Sequence, residues 1–117
     1  MSDAPAPQTS LSAYDRDKLV ELFGDDPKTL AEVERDFLAT ARGAEREISD
    51  ASDCELIARA AHRLKGASGM IGAAALHTLA AAVEQAAKAR DLAGIRRLRE
   101  TFRREVGRVA DQVAANG

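Results

Sequence analysis

His62 and Lys65 stand three residues apart, close to one helical turn, and Gly66, Gly69 and Gly72 follow within the run 61–73, Ala-His-Arg-Leu-Lys-Gly-Ala-Ser-Gly-Met-Ile-Gly-Ala. An imidazole, with a reference pKa of about 6.5, is largely neutral near pH 7 and keeps a lone pair for attack on phosphorus. Phosphoryl transfer asks for positioning and charge neutralisation more than for covalent help, so an ammonium one turn away is the natural second component. Arg59, one turn on the other side, is a weaker second cation. A helix-interior glycine costs about 1 kcal/mol against alanine, and what it offers in return is bare backbone that another molecule can approach closely.

Residues three or four apart share a helix face, which gathers Glu55, Ala58, Arg59, Lys65, Gly66 and Gly69 around His62. All of these but Lys65 are expected to form the partner-docking surface, with His62 facing solvent in mid-helix. Ile57, Ala60, Ala61, Leu64, Ser68 and Ile71 fall on the opposite face and point into a core. Ser68 would bond a backbone carbonyl of its own helix or pack the bend before Gly72.

The pattern His62-x-x-Lys65-Gly66-x-Ser68-x-x-x-Gly72-Ala73, led by Ala61 and continued by Leu76-x-x-Leu79 and Val83-Glu84, resembles the phosphoacceptor helix of histidine-containing phosphotransfer (HPt) domains of bacterial multistep phosphorelays. The resemblance implies that His62 is the phosphoacceptor, reacting through Nε2, and that Lys65 stabilises the phosphoryl group. It implies two receiver domains as partners, one on a hybrid histidine kinase and one on a response regulator. The Mg²⁺ and the acidic pocket belong to the receiver, and this chain is expected to need no metal or cofactor of its own. Glu84 matches a family position without a role that its sequence context supplies.

The elements that must hold this stretch are legible in the rest of the chain. Residues 1–10 carry all but one of the prolines and read as a disordered tail before a bundle domain over residues 11–117. Residues 11–23 form a short first helix presenting Leu11, Leu19, Val20, Leu22 and Phe23, stopped by Gly24. Asp26-Pro27 is an N-cap with proline at the first helical position, opening a long helix to about residue 50 along the stripe Leu30, Val33, Phe37, Ala41, Ala44 and Ile48. Ser52-x-x-Glu55 has the form of a capping box for the His62 helix, which ends near residues 69–72. The next helix, about 74–90, turns Leu76, Leu79, Ala80, Val83 and Ala87 to one side. Asp91 caps the last, striped by Ile95, Leu98, Phe102, Val106, Val109 and Val113. The fold class is therefore all-α: an antiparallel, up-down-up-down four-helix bundle with a short extra N-terminal helix as a cover at one end, and no strands.

Composition limits the function further. A chain of 117 residues makes one domain, and its net charge of -2 supplies no basic field for nucleic acid or an anionic membrane. Cys54 is the single cysteine, which excludes an intrachain disulfide, and without a paired histidine it reads as an inert thiol. The chain lacks a leader-like N-terminus and any apolar run of about eighteen residues, so a monomeric cytoplasmic protein is expected. A di-iron bundle site would need Glu-x-x-His, but Arg59 and Ala74 stand three residues before His62 and His77. No strand leads into the glycines, and they lack the Gly-Lys-Ser/Thr ending of a nucleotide loop. His77, on the following helix and outside the motif, reads as an ordinary surface residue. The competing functional reading is an adaptor of the same fold that binds receiver or kinase domains without carrying phosphate; a third is a homodimer built on surplus apolar stripes.

Overall fold

The computed structural model describes residues 12–116 as five helices and their connections. In chain order they are α1 (Arg16–Phe23), α2 (Pro27–Asp50), α3 (Cys54–Met70), α4 (Ala74–Lys88) and α5 (Leu92–Asn116). Three-residue connections join the four long helices, and connections that short force each helix to run back along its predecessor. α2 packs on α3 and α5, and α4 packs on the same two, which closes a four-helix bundle; α1 lies on α2. No strand occurs among the described residues. The expected tail over residues 1–10 lies outside them.

Local chemistry explains the boundaries. The Asp26 side chain accepts from the Thr29 N–H at 3.2 Å and from its hydroxyl at 2.8 Å, with Pro27 at the first helical position of α2. Gly24 stops α1 with φ +87° and donates its N–H to the Val20 carbonyl at 2.8 Å. Asp91 accepts from the Gly94 N–H at 2.8 Å and opens α5. The expected capping box at Ser52 is not formed. Asp53 caps α3 instead, its carboxylate accepting from the Glu55 N–H at 2.9 Å, because a charged acceptor on the residue next to the first turn holds the orphan donors better than a hydroxyl one residue further out.

The apolar stripes meet at the centre. Phe37, Ile57, Leu64, Leu76, Val83, Phe102 and Val109 are buried, and alanines at 41, 44, 60, 61, 80 and 87 let the helices approach closely. Val33, Leu79, Leu98 and Val113 are only partly covered, at the margins of their stripes.

The N-terminal cover differs from expectation. α1 begins at Arg16, not near residue 11, because Asp15 caps it by accepting from the Asp17 and Lys18 N–H groups. Leu19 is buried, but Val20, Leu22 and Phe23 are exposed, and Leu11 lies outside the described residues. The covering is done by Ala13 and Tyr14. Tyr14 sets its ring 6.4 Å from that of Phe37 and donates its hydroxyl to Glu34, a carboxylate buried in the α2 stripe. Asn116 adds a bond to Glu34 at 2.8 Å, and Gln112 both accepts from the Ala13 N–H at 2.7 Å and donates to the Tyr14 carbonyl at 3.1 Å. The Tyr14 hydroxyl and the Glu34 carboxylate thus have partners, the condition under which burial is tolerated.

Candidate functional site

α3 owes its exposed face to its pattern. Ile57, Ala60, Ala61, Leu64, Ser68 and Ile71 are all buried as the spacing requires, so His62 is turned outward with 68% of its side chain exposed. Gly72 closes the helix in the left-handed conformation, φ +71°, and a Cβ there would lie 2.7 Å from the Asp15 Cβ. The Asp15 N–H donates to the Ile71 carbonyl at 3.0 Å at the same point, so the bend is pinned by the N-terminal segment.

His62 does not stand alone on its face. Its Nδ1 lies 3.0 Å from Oε2 of Glu84, which reaches across from α4 and whose side chain is only 5% exposed. Lys65 Nζ sits 2.8 Å from the other oxygen, Oε1, and Lys88 Nζ 3.3 Å from Oε2. The Lys65 ammonium, followed by those of Lys88 and the imidazole, outweighs burial and holds the Glu84 carboxyl down at about 2, well below the usual carboxylate range. Glu84 is consequently ionised and accepts only. The hydrogen between Glu84 and His62 therefore belongs to Nδ1, and neutral His62 carries its lone pair on Nε2. A solvent-facing imidazole whose inner nitrogen is committed to a buried carboxylate is an oriented nucleophile.

The other expected site residues separate into groups. Arg59 and Glu55 are exposed and lie 3.9 Å apart, the ordinary i, i+4 pairing. Ala58 is half-buried beside them. A Cβ on Gly66 would meet nothing within 4 Å, so that position opens directly outward next to His62, in keeping with close approach by another molecule. Gly69 is exposed too, and a Cβ there would lie 3.3 Å from Nδ1 of His77, so the missing side chain also makes room for that ring. His77 is accordingly no bystander; its Nδ1 lies 2.9 Å from the Lys65 carbonyl oxygen. Ser68 is fully buried and packs the helix end, its hydroxyl without a hydrogen-bond partner. Cys54 is buried at the start of α3.

Glu84 is the residue that sequence reasoning left without a role, although a signal was present. It adjoins Val83 and shares the buried side of α4 with Ala80 and Ala87, where a charge is retained only if paired. Lys88 at i+4 supplies one partner; the other two come from α3.

Beside α3 lies a cleft of about 520 Å³ toward α2, lined by Leu56, Arg46, Arg59 and Arg63 among others, with Arg63 held 2.7 Å from Glu47. Among the described residues no group of three His, Cys, Asp or Glu side chains is placed to hold a metal ion, and no helix is long and apolar enough to cross a membrane.

No curated protein and no solved structure matches the chain. A family model described as the Hpt domain does, over residues 18–112, a span that runs from α1 to the last turns of α5 and includes His62, Lys65 and Glu84. With its all-helical bundle and that match over most of its length, the chain belongs to the Hpt domain family of histidine phosphotransfer domains in two-component phosphorelays.

Proposed function

We propose that the chain is a phosphocarrier that takes a phosphoryl group onto His62 from the aspartyl phosphate of one receiver domain and gives it to the aspartate of another. The observation that carries this reading is the pairing of exposed His62 with buried, ionised Glu84, which leaves Nε2 as the outward nucleophile. In the forward step the Nε2 lone pair attacks phosphorus, the bond from phosphorus to the aspartyl oxygen breaks, and the carboxylate leaves with that electron pair. Positive charge develops on the ring as the new bond forms, and the Glu84 carboxylate 3.0 Å from Nδ1 stabilises it. The second transfer is the same step in reverse on another receiver.

Lys65 serves both sides of this exchange. Its ammonium has three N–H bonds, one of which faces Glu84, leaving the others for the phosphoryl oxygens. Arg59 is exposed on the rim and suits partner choice more than chemistry. Mg²⁺ chemistry is assigned to the receiver, and docking to the face opened at Gly66.

The test is a phosphotransfer time course from phosphorylated receiver domains to the wild-type chain and to His62→Gln. Acid-labile, base-stable label on the wild type alone is the expected result. Receivers that bind the chain but label neither protein would replace this reading with a non-catalytic adaptor.

A further inference from the structure

His77 lies outside the motif, yet it makes the contact that holds α4 to the main chain of Lys65. A carbonyl oxygen only accepts, so at 2.9 Å the hydrogen is on His77 Nδ1 and neutral His77 has a bare, outward Nε2. The Lys65 carbonyl also occupies the helical position that receives the Gly69 N–H, so the imidazole is a second donor to a group already in use. Gly69 is what admits it, since any side chain at that position would press on the ring at 3.3 Å.

His77 and Glu84 are seven residues apart on α4 and so fall on one face of it. Both are aimed at Lys65: His77 at its carbonyl, Glu84 at its ammonium 2.8 Å away. A lysine side chain is long and flexible, and fixing its base as well as its tip is what gives the ammonium one position. We infer that His77 is a positioning residue for phosphoryl transfer at His62: by bonding the Lys65 carbonyl it fixes the α3 backbone from which Lys65 reaches Glu84 and the transferred oxygens. The inference rests on the phosphocarrier reading above and assigns His77 no contact with phosphate.

The experiment uses the full chain and a receiver domain that labels the wild type, with transfer rates followed over a range of receiver concentrations. His77→Ala is expected to lower the maximal transfer rate about tenfold, the scale of a small misplacement at a reacting centre. The receiver concentration at half-maximal rate should stay within about twofold, since docking is not disturbed. His77→Asn sets an amide N–H where Nδ1–H was and should restore most of the rate, a rescue that mere loss of packing would not show. Gly69→Ala, which displaces the ring, should resemble His77→Ala. An unchanged rate in His77→Ala, a rate equally low in His77→Asn, or an effect confined to the half-maximal concentration would overturn the inference while leaving the phosphocarrier reading intact. Label appearing on His62→Gln would overturn it too, by making His77 an acceptor. No label on the wild type from any receiver is the separate result that removes the phosphocarrier reading itself.

Discussion

Replacing Glu84 with glutamine keeps the shape of the side chain and removes the charge on which three cationic or ring nitrogens converge. The carboxyl is lowered from 4.5 to about 2 in the folded protein. A lowered value means that the native state resists protonation more than the unfolded chain does. The stabilisation is therefore complete above the unfolded value of 4.5 and is lost as pH falls from there toward 2. Taken at face value the shift corresponds to about 3 kcal/mol. His62 and Lys88 are 68% and 60% exposed, however, so water screens them and about 1–2 kcal/mol is the figure to expect. Urea unfolding of wild type and Glu84→Gln, at several values from about pH 7 downward, isolates this group, because the other carboxylates titrate in both proteins and cancel in the difference. The variant should be less stable by about 1–2 kcal/mol at neutral pH, and the gap should close as the solution is acidified through the window below about 4.5. A gap that stays constant with pH would refute the argument, because it would make the loss a matter of shape or packing and leave Glu84 without the charge that fixes the His62 tautomer.

The glycines give two further predictions. Gly72→Ala must hold φ +71° with a Cβ 2.7 Å from that of Asp15, so it should cost about 2–4 kcal/mol, combining left-handed strain with a displaced α1 cap. Gly24→Ala meets open space but at φ +87° and ψ -179° takes a backbone conformation that is essentially glycine's alone, so it too should destabilise; a Gly72→Ala loss below about 1 kcal/mol in thermal melts would remove the Asp15 contact from the account. Gly66→Ala, in a helix interior with nothing within 4 Å, should raise stability by about 0.5–1 kcal/mol. Gly66→Leu should fold yet slow transfer from receivers, and undiminished transfer would count against close approach at that face.

Much of this molecule could be read along the chain because its signals are local. Asp26-Pro27 starts α2 with a cap that involves only its own next residues, and the stripe from Leu30 to Ile48 needs nothing beyond helical spacing to find the core. His62, Lys65 and Gly66 lie within five residues of one another, so their shared face follows from geometry alone. Glu84 and His77 act on residues 22 and 12 positions away on another helix, and no pattern within α4 says which α3 group they meet. The room that Gly69 leaves for His77 is hidden for the same reason: a missing side chain looks identical in sequence whether a partner or the neighbouring helix uses the gap. Tyr14 and Glu34 are the parallel case in the core. A glutamate in register with Leu30, Phe37 and Ala41 announces a buried partner without naming it, and the hydroxyl that satisfies it arrives from before the first helix.

The strap formed by Tyr14 and Gln112 joins segments 98 residues apart, whereas α2 with α3, α3 with α4 and α4 with α5 are hairpins of successive elements. Contacts between neighbours close small loops and form early; those that close nearly the whole chain must wait for its ends to meet. On that loop-closure argument the strap is expected to form late, so weakening it should speed opening more than it slows closing. Ala13, Tyr14, Gln112 and Asn116 would then work as a latch in time, setting how long a folded molecule survives between excursions, while the helix hairpins set how quickly it returns.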